Sequence, residues 1–198
     1  RSSATSLATT MSSLAVVDLR IVLVEPSHPG NIGAVARAMK NMALSQLVLV
    51  KPKAFPHAEA SARASGATDV LEQARVVDTV ADAVAECGFV AATTSRERDQ
   101  NIRVADVREG APRLVAEAGR GPAALLFGAE RTGLTNEDLA LTHLLLRIPA
   151  NPDYCSLNLA MAVQVICYEV LQAKQAGTKE TGGTKQEWDL PFADSAAV

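Results

Sequence analysis

Aromatic residues are scarce in this chain. Phe, Trp and Tyr together make up 4% of its 198 residues. A core must therefore be built from Val, Leu, Ile and Ala, which dominate the 48% hydrophobic content. Cysteine is scarce too: Cys87, Cys155 and Cys167 are odd in number, and no two stand at C-x-x-C spacing. That argues against a disulfide framework or a zinc site and predicts three reduced, mostly buried thiols in a cytosolic protein that needs no metal. No apolar run reaches the roughly 18 residues of a membrane span. The nearest, 156–172, is interrupted by Asn158, Gln164 and Glu169, so no membrane association is expected. A surplus of positive charge is also missing: the net charge is −3 and the isoelectric point about 5.6. This counts against an extended nucleic-acid surface but leaves room for a local basic patch.

What is present is alternation. The runs 19–25, 46–51, 75–78, 89–94, 123–128 and 144–149 read as strands, several of them continuously apolar, as in a parallel sheet covered on both faces. Helical patterns lie between them at 31–42, about 58–65, 79–87, 106–118, 135–141 and 156–173. In the last, Leu157, Met161, Val165 and Tyr168 recur at helical spacing, with Ser156 as the N-cap. The expected fold class is α/β with a largely parallel sheet flanked by helices. The expected domain spans 19–173. Residues 1–18 precede it as a disordered or appended segment; "RSSATSLATT", with one Arg and no acid, also has the look of a transit peptide. Residues 174–198, beginning "KQAGTKETGGTKQ", read as a linker and tail.

The stretch "HPGNIGAVARAMKN", 28–41, follows the first strand as a nucleotide cradle would. It lacks the first G-x-G of the dinucleotide fingerprint and the G-K-[ST] of a phosphate loop. Its own pattern predicts a tight turn in which Gly30 supplies a positive φ and Gly33 permits close helix packing. Arg37 falls off the apolar stripe of Ile32, Val35, Ala36 and Met39, and Lys40 is expected to be solvated without a role. Two later stretches are equally distinctive. "LLFGAERTGL" (125–134) ends a strand in a glycine-bounded turn carrying Glu130, and "RIPANPDYCSLNLAMAVQV" (147–165) passes from a strand through a loop into an apolar helix. Taken singly, each also reads as ordinary turn chemistry, with Glu130 a surface carboxylate and Asn158 part of a first helical turn.

Taken together, N-x5-R, F-G-x-E-x-x-G-L and I-P-x-N…S-L-N-x-A-x-A resemble the three motifs of the SpoU/TrmH branch of SPOUT RNA 2′-O-methyltransferases. Their detail is closest to the bacterial enzymes that methylate cytidine or uridine 32 in the tRNA anticodon loop. The resemblance implies a SPOUT fold with a C-terminal trefoil knot near 123–172, S-adenosyl-L-methionine as cofactor, tRNA as partner, a homodimer and a cytoplasmic location. It implies catalytic roles for Asn31, Arg37, Glu130, Ser156 and Asn158. It implies cofactor contacts from Thr93, Thr94, Ser95, Gly128, Glu130, Gly133, Leu134, Ile148, Ser156 and Leu157. Arg37, with Arg96 and Arg98 beyond the pocket rim, is expected to hold RNA. The related enzymes continue into a helical C-terminal region, so the tail is expected to be a shortened one. Two other readings remain: methylation of a different tRNA or ribosomal RNA site by the same chemistry, and a Rossmann-like nucleotide binder without methyltransferase activity.

Overall fold

The computed structural model describes residues 17–94 and 102–181. In chain order the elements are β1 (Leu19–Val24), α1 (Pro29–Asn41), β2 (Gln46–Val50), α2 (Ala58–Ala64), α3 (Thr68–Glu72), β3 (Arg75–Val77), α4 (Val80–Val84), β4 (Phe89–Thr93), β5 (Val104–Asp106), α5 (Val107–Ala118), β6 (Ala123–Phe127), α6 (Asn136–Ala140), β7 (Leu144–Arg147) and α7 (Leu159–Thr181). The strands form one seven-stranded sheet in the order β3-β2-β1-β6-β4-β7-β5, and every pairing is parallel.

Strand alternation sorts the core into two layers. Leu19, Ile21, Leu23, Leu47, Leu49, Leu125 and Phe127 face α1, α2, α3, α5 and α7. Val22, Val24, Val48, Val50, Leu126 and Leu145 face the two short helices α4 and α6. Both faces are thus covered, which is why the strands read as continuous apolar runs. Helix α1 buries Ile32, Val35, Ala36 and Met39, the larger of which contribute about 1.5–3 kcal/mol each. Arg37 on its outer side is exposed.

Gly33 is used as expected. A Cβ there would lie 2.0 Å from the Ala60 carbonyl oxygen, so α1 and α2 cross at backbone contact. Gly30 is not: it sits inside α1, and the left-handed conformation at this corner belongs to Glu25 instead, at φ 49°. The chain turns before the helix begins, and Pro29 starts α1 at its first position. Lys40 is engaged rather than idle. Its ammonium donates to the Gly66 carbonyl at 2.9 Å and pairs with Asp69 at 2.8 Å, tying α1 to the first turn of α3 and the segment before it.

Four further expectations are corrected. Helix α7 starts at Leu159, not Ser156, and Asn158 is its cap: the Asn158 side-chain oxygen accepts from the Ala160 N–H at 2.9 Å. The helix continues through Thr181, past the expected end at 173, with Lys174 buried. Its inward face is Val163, Ile166, Cys167 and Val170, while Met161, Val165 and Tyr168 are exposed. Of the three thiols only Cys167 is buried; Cys155 is exposed and Cys87 half-buried. Burial pushes the Cys167 thiol up to about 12, so it is inert at neutral pH.

Candidate active site

The three distant motifs meet at the carboxyl ends of β1, β6 and β7, and Glu130 is the joint between them. Its carboxylate accepts hydrogen bonds from the Ser27 N–H and hydroxyl, both at 3.0 Å, and from the His28 N–H at 3.4 Å. It also accepts from the Asn31 amide at 3.1 Å. The Asn31 carbonyl oxygen in turn accepts from the Asn158 amide at 3.1 Å, and Asn158 caps α7. One polar chain therefore runs from the β6 loop through the first turn of α1 to the start of α7. Each amide is pinned at both ends.

Burial raises the Glu130 carboxyl's pKa. The hydrogen bonds from Asn31, the backbone and Ser27 outweigh that and hold it below the ordinary glutamate value. The ionised carboxylate is saturated with donors, so it organises the corner rather than accepting a substrate proton. A lowered native value means that its stabilisation is complete above the unfolded-state value of about 4.3 and disappears as pH falls through the lower native one. Thermal melts of wild type and Glu130→Gln should differ at neutral pH and converge in acid below that range. A stability gap that persists undiminished in acid would show that the charge is not what holds the corner.

Beside this joint lies a cavity of about 480 Å³ at the carboxyl ends of β4, β6 and β7. Thr93, Thr94, Gly128, Glu130, Gly133, Leu134, Ile148, Ser156 and Leu157, all expected at a cofactor, line it together. Ser95, Arg96 and Arg98 lie outside the described residues. Asn31 and Asn158 adjoin the cavity through Glu130, whereas Arg37 is neither in the cavity wall nor in the polar chain. The wall also includes residues that no motif singled out, among them Arg131, Thr132, Ala150 and Cys155. Adjacency to motif residues was the only signal in the sequence for these.

The glycines explain the wall's shape. A Cβ on Gly128 would lie 2.3 Å from the Gly133 carbonyl carbon and 2.4 Å from the Leu134 nitrogen. Gly133 itself adopts φ 70°, and its N–H donates to the Ala129 carbonyl at 2.8 Å. The segment 128–134 thus folds back on itself so tightly that main chain, not side chain, forms much of the surface. At the floor, the Thr94 N–H continues the β4–β7 ladder to the Leu146 carbonyl at 3.1 Å.

These features define a parallel α/β protein whose ligand cavity is built from loop backbone at the strand ends, without a glycine-rich helix cradle. The chain belongs to the SpoU rRNA methylase family, whose model matches residues 18–168. It is 50% identical over 175 residues to the tRNA (cytidine/uridine-2'-O-)-methyltransferase TrmJ of Escherichia coli K12, a match that covers 88% of this chain and 71% of that protein. Among solved structures, a probable methylase family protein from Haemophilus influenzae is similar with a TM-score of 0.78 and 44% identity, covering 88% of this chain and 73% of that one. TrmJ from Zymomonas mobilis (Z. mobilis ZM4) is similar with a TM-score of 0.73 and 43% identity, covering 78% and 69%. Among the described residues, no helix is long and apolar enough to cross a membrane.

Proposed function

We propose that this chain methylates the ribose 2′-oxygen of a cytidine or uridine in tRNA, at nucleotide 32 of the anticodon loop, with S-adenosyl-L-methionine as methyl donor. The observation that carries the reading is the Glu130–Asn31–Asn158 chain, which locks the three motifs of the family into one corner beside a ligand-sized cavity. The residues present fit the cofactor. Leu134, Ile148 and Leu157 offer apolar walls for a purine, and Thr93, Ser156 and the loop main chain offer polar partners for a ribose and an amino acid. When bound, this cofactor supplies a methyl group activated by a sulfonium.

The protein's tasks are then alignment and management of the hydroxyl proton. Asn31 and Asn158 hold the first turn of α1 against α7, fixing the edge where the ribose is placed, and Ser156 at the cavity wall orients the hydroxyl or the cofactor. Arg37 is exposed and has no hydrogen bond or ion pair among the described residues, so its guanidinium is available to an incoming anion. Its pKa above about 12 makes it a poor base. It acts instead by stabilising the developing alkoxide and the adjacent phosphate, while the proton passes to phosphate or water.

Arg37 is not part of the cavity wall of its own chain, and α7 exposes Met161, Val165 and Tyr168. Helices α1 and α7 pack against each other; α1 carries the exposed Arg37 and α7 carries the exposed apolar residues. This supports a homodimer in which Arg37 of one copy serves the cavity of the other. The course from β6 through 128–134 to β7, and from 148–158 into an α7 that returns onto α1 and α5, supports a trefoil knot in this part of the chain. A cytoplasmic location follows from the substrate. The deciding experiment is methyl incorporation into unmodified total tRNA with mapping of the modified nucleotide. Methylation confined to another nucleotide would reject the site, and none at all would reject the reaction.

A further inference from the structure

Three charged side chains line the cavity: Glu130, Arg131 and Arg147. Two already have partners. The Glu130 carboxylate is saturated by Ser27, His28 and Asn31, and Arg147 pairs with Asp106 at 3.0 Å. Arg131 is exposed and has no hydrogen bond, ion pair or ring contact among the described residues. It is also not free to wander at its root. It sits within the turn closed by the Ala129–Gly133 bridge, whose backbone is held by the contact of Gly128 with Gly133. An unpartnered guanidinium on a fixed turn at the mouth of a cavity is built to receive an oxyanion, and its planar fork suits phosphate best.

We propose that Arg131 is an RNA-docking residue, binding the phosphate beside the target ribose at the rim between the cavity and the Glu130–Asn31 corner. This rests on the proposed reaction and adds to it a contact point that the motif pattern did not contain. Phosphate is favoured over the cofactor's own carboxylate by exposure. The apolar wall residues Leu134, Leu139 and Leu146 are buried, whereas Arg131 is open to solvent, where a large polyanion arrives last. Its position next to Glu130 also places it one residue from the group that anchors α1, the helix carrying Arg37. In the proposed dimer, Arg131 of one copy and Arg37 of the other would then hold the strand at one cavity.

The test compares wild type, Arg131→Gln and Arg131→Lys by direct tRNA binding across a salt series, by steady-state methylation and by calorimetric titration with S-adenosylmethionine. Arg131→Gln should weaken tRNA binding on the order of tenfold and reduce the magnitude of the log–log salt slope by about 0.7–0.9, the contribution of one phosphate contact. Cofactor affinity and melting temperature should not move. Arg131→Lys should restore the salt slope while recovering only part of kcat, because an ammonium keeps the charge without the fork. An unchanged slope in Arg131→Gln overturns the proposal, as does a loss of cofactor affinity with the slope intact. A wild-type chain that binds tRNA but transfers no methyl group rejects the reaction instead, and the binding series still decides the role of Arg131.

Discussion

Arg37→Ala should lower kcat for tRNA methylation by about 10²–10³, the usual loss when a donor to a developing oxyanion is removed. The melting temperature and the affinity for S-adenosylmethionine should stay at their wild-type values. The physical case rests on where the residue is. Arg37 projects from the outer side of α1, off the stripe formed by Ile32, Val35, Ala36 and Met39, and it has no hydrogen bond or ion pair among the described residues. Its removal opens no void in the core and orphans no buried partner, so the usual routes to large destabilisation are closed. A loss of activity must then come from the reaction. Single-turnover methylation at saturating cofactor, read beside a calorimetric titration, separates the outcomes. Lost cofactor binding with intact single-turnover chemistry would remove Arg37 from the catalytic set. If Arg37 serves the cavity of a second copy, mixing Arg37→Ala with a cavity-defective variant should restore part of the activity through mixed dimers.

The cavity-defective variant is the second prediction. Gly128→Ala should abolish measurable cofactor binding, a loss of at least about a hundredfold, while the domain stays folded at a cost of about 1–3 kcal/mol. The added Cβ would fall 2.3 Å from the Gly133 carbonyl carbon and 2.7 Å from its Cα. Both are main-chain atoms, and no rotamer change can move them aside. The turn must open, and opening it displaces Glu130, Arg131 and Leu134 together, since all three line the cavity on that turn. The sheet beneath is a separate matter. Residues Ala123–Phe127 of β6 are fully buried between β1 and β4 and keep their ladder. Circular dichroism and melting should therefore report a folded protein, with cofactor titration reporting none bound. Near-normal affinity would show that this turn does not shape the cofactor site.

Much of this was legible from the residues. Five of the seven strands announce themselves because a parallel sheet covered on both faces leaves continuous apolar runs, as in "RIVLV" and "AALLF"; β3, an exposed edge strand, was read only from the short run "RVV". Strand β5 did not announce itself: its three residues sit at the sheet edge, and Val104 is half-exposed, so no run forms. The cavity residues Gly128, Gly133, Leu134, Ile148 and Leu157 were readable because they sit in motifs with fixed spacing. Arg131 and Cys155 were not, because their place in the wall comes from loop curvature, which has no one-letter signature.

The sequence by itself determined every strand but β5 and every helix but the short α3, that the sheet is largely parallel, and which residue types gather into motifs. Those follow from local periodicity and turn chemistry, which act over a few residues. Tertiary structure alone decided three things. It chose the buried face of α7, because Val163, Ile166 and Val170 compete with Met161, Val165 and Tyr168 on nearly equal terms, and only the position of α1 and α5 breaks the tie. It moved the left-handed residue from Gly30 to Glu25, because the register of β1 against β2 fixes where the chain must turn. It also joined Glu130 to Asn31 across 99 residues and Asn31 to Asn158 across 127. Hydrogen bonds at that separation exist only once strand order has brought the loops together, since no local preference acts over such a length of chain.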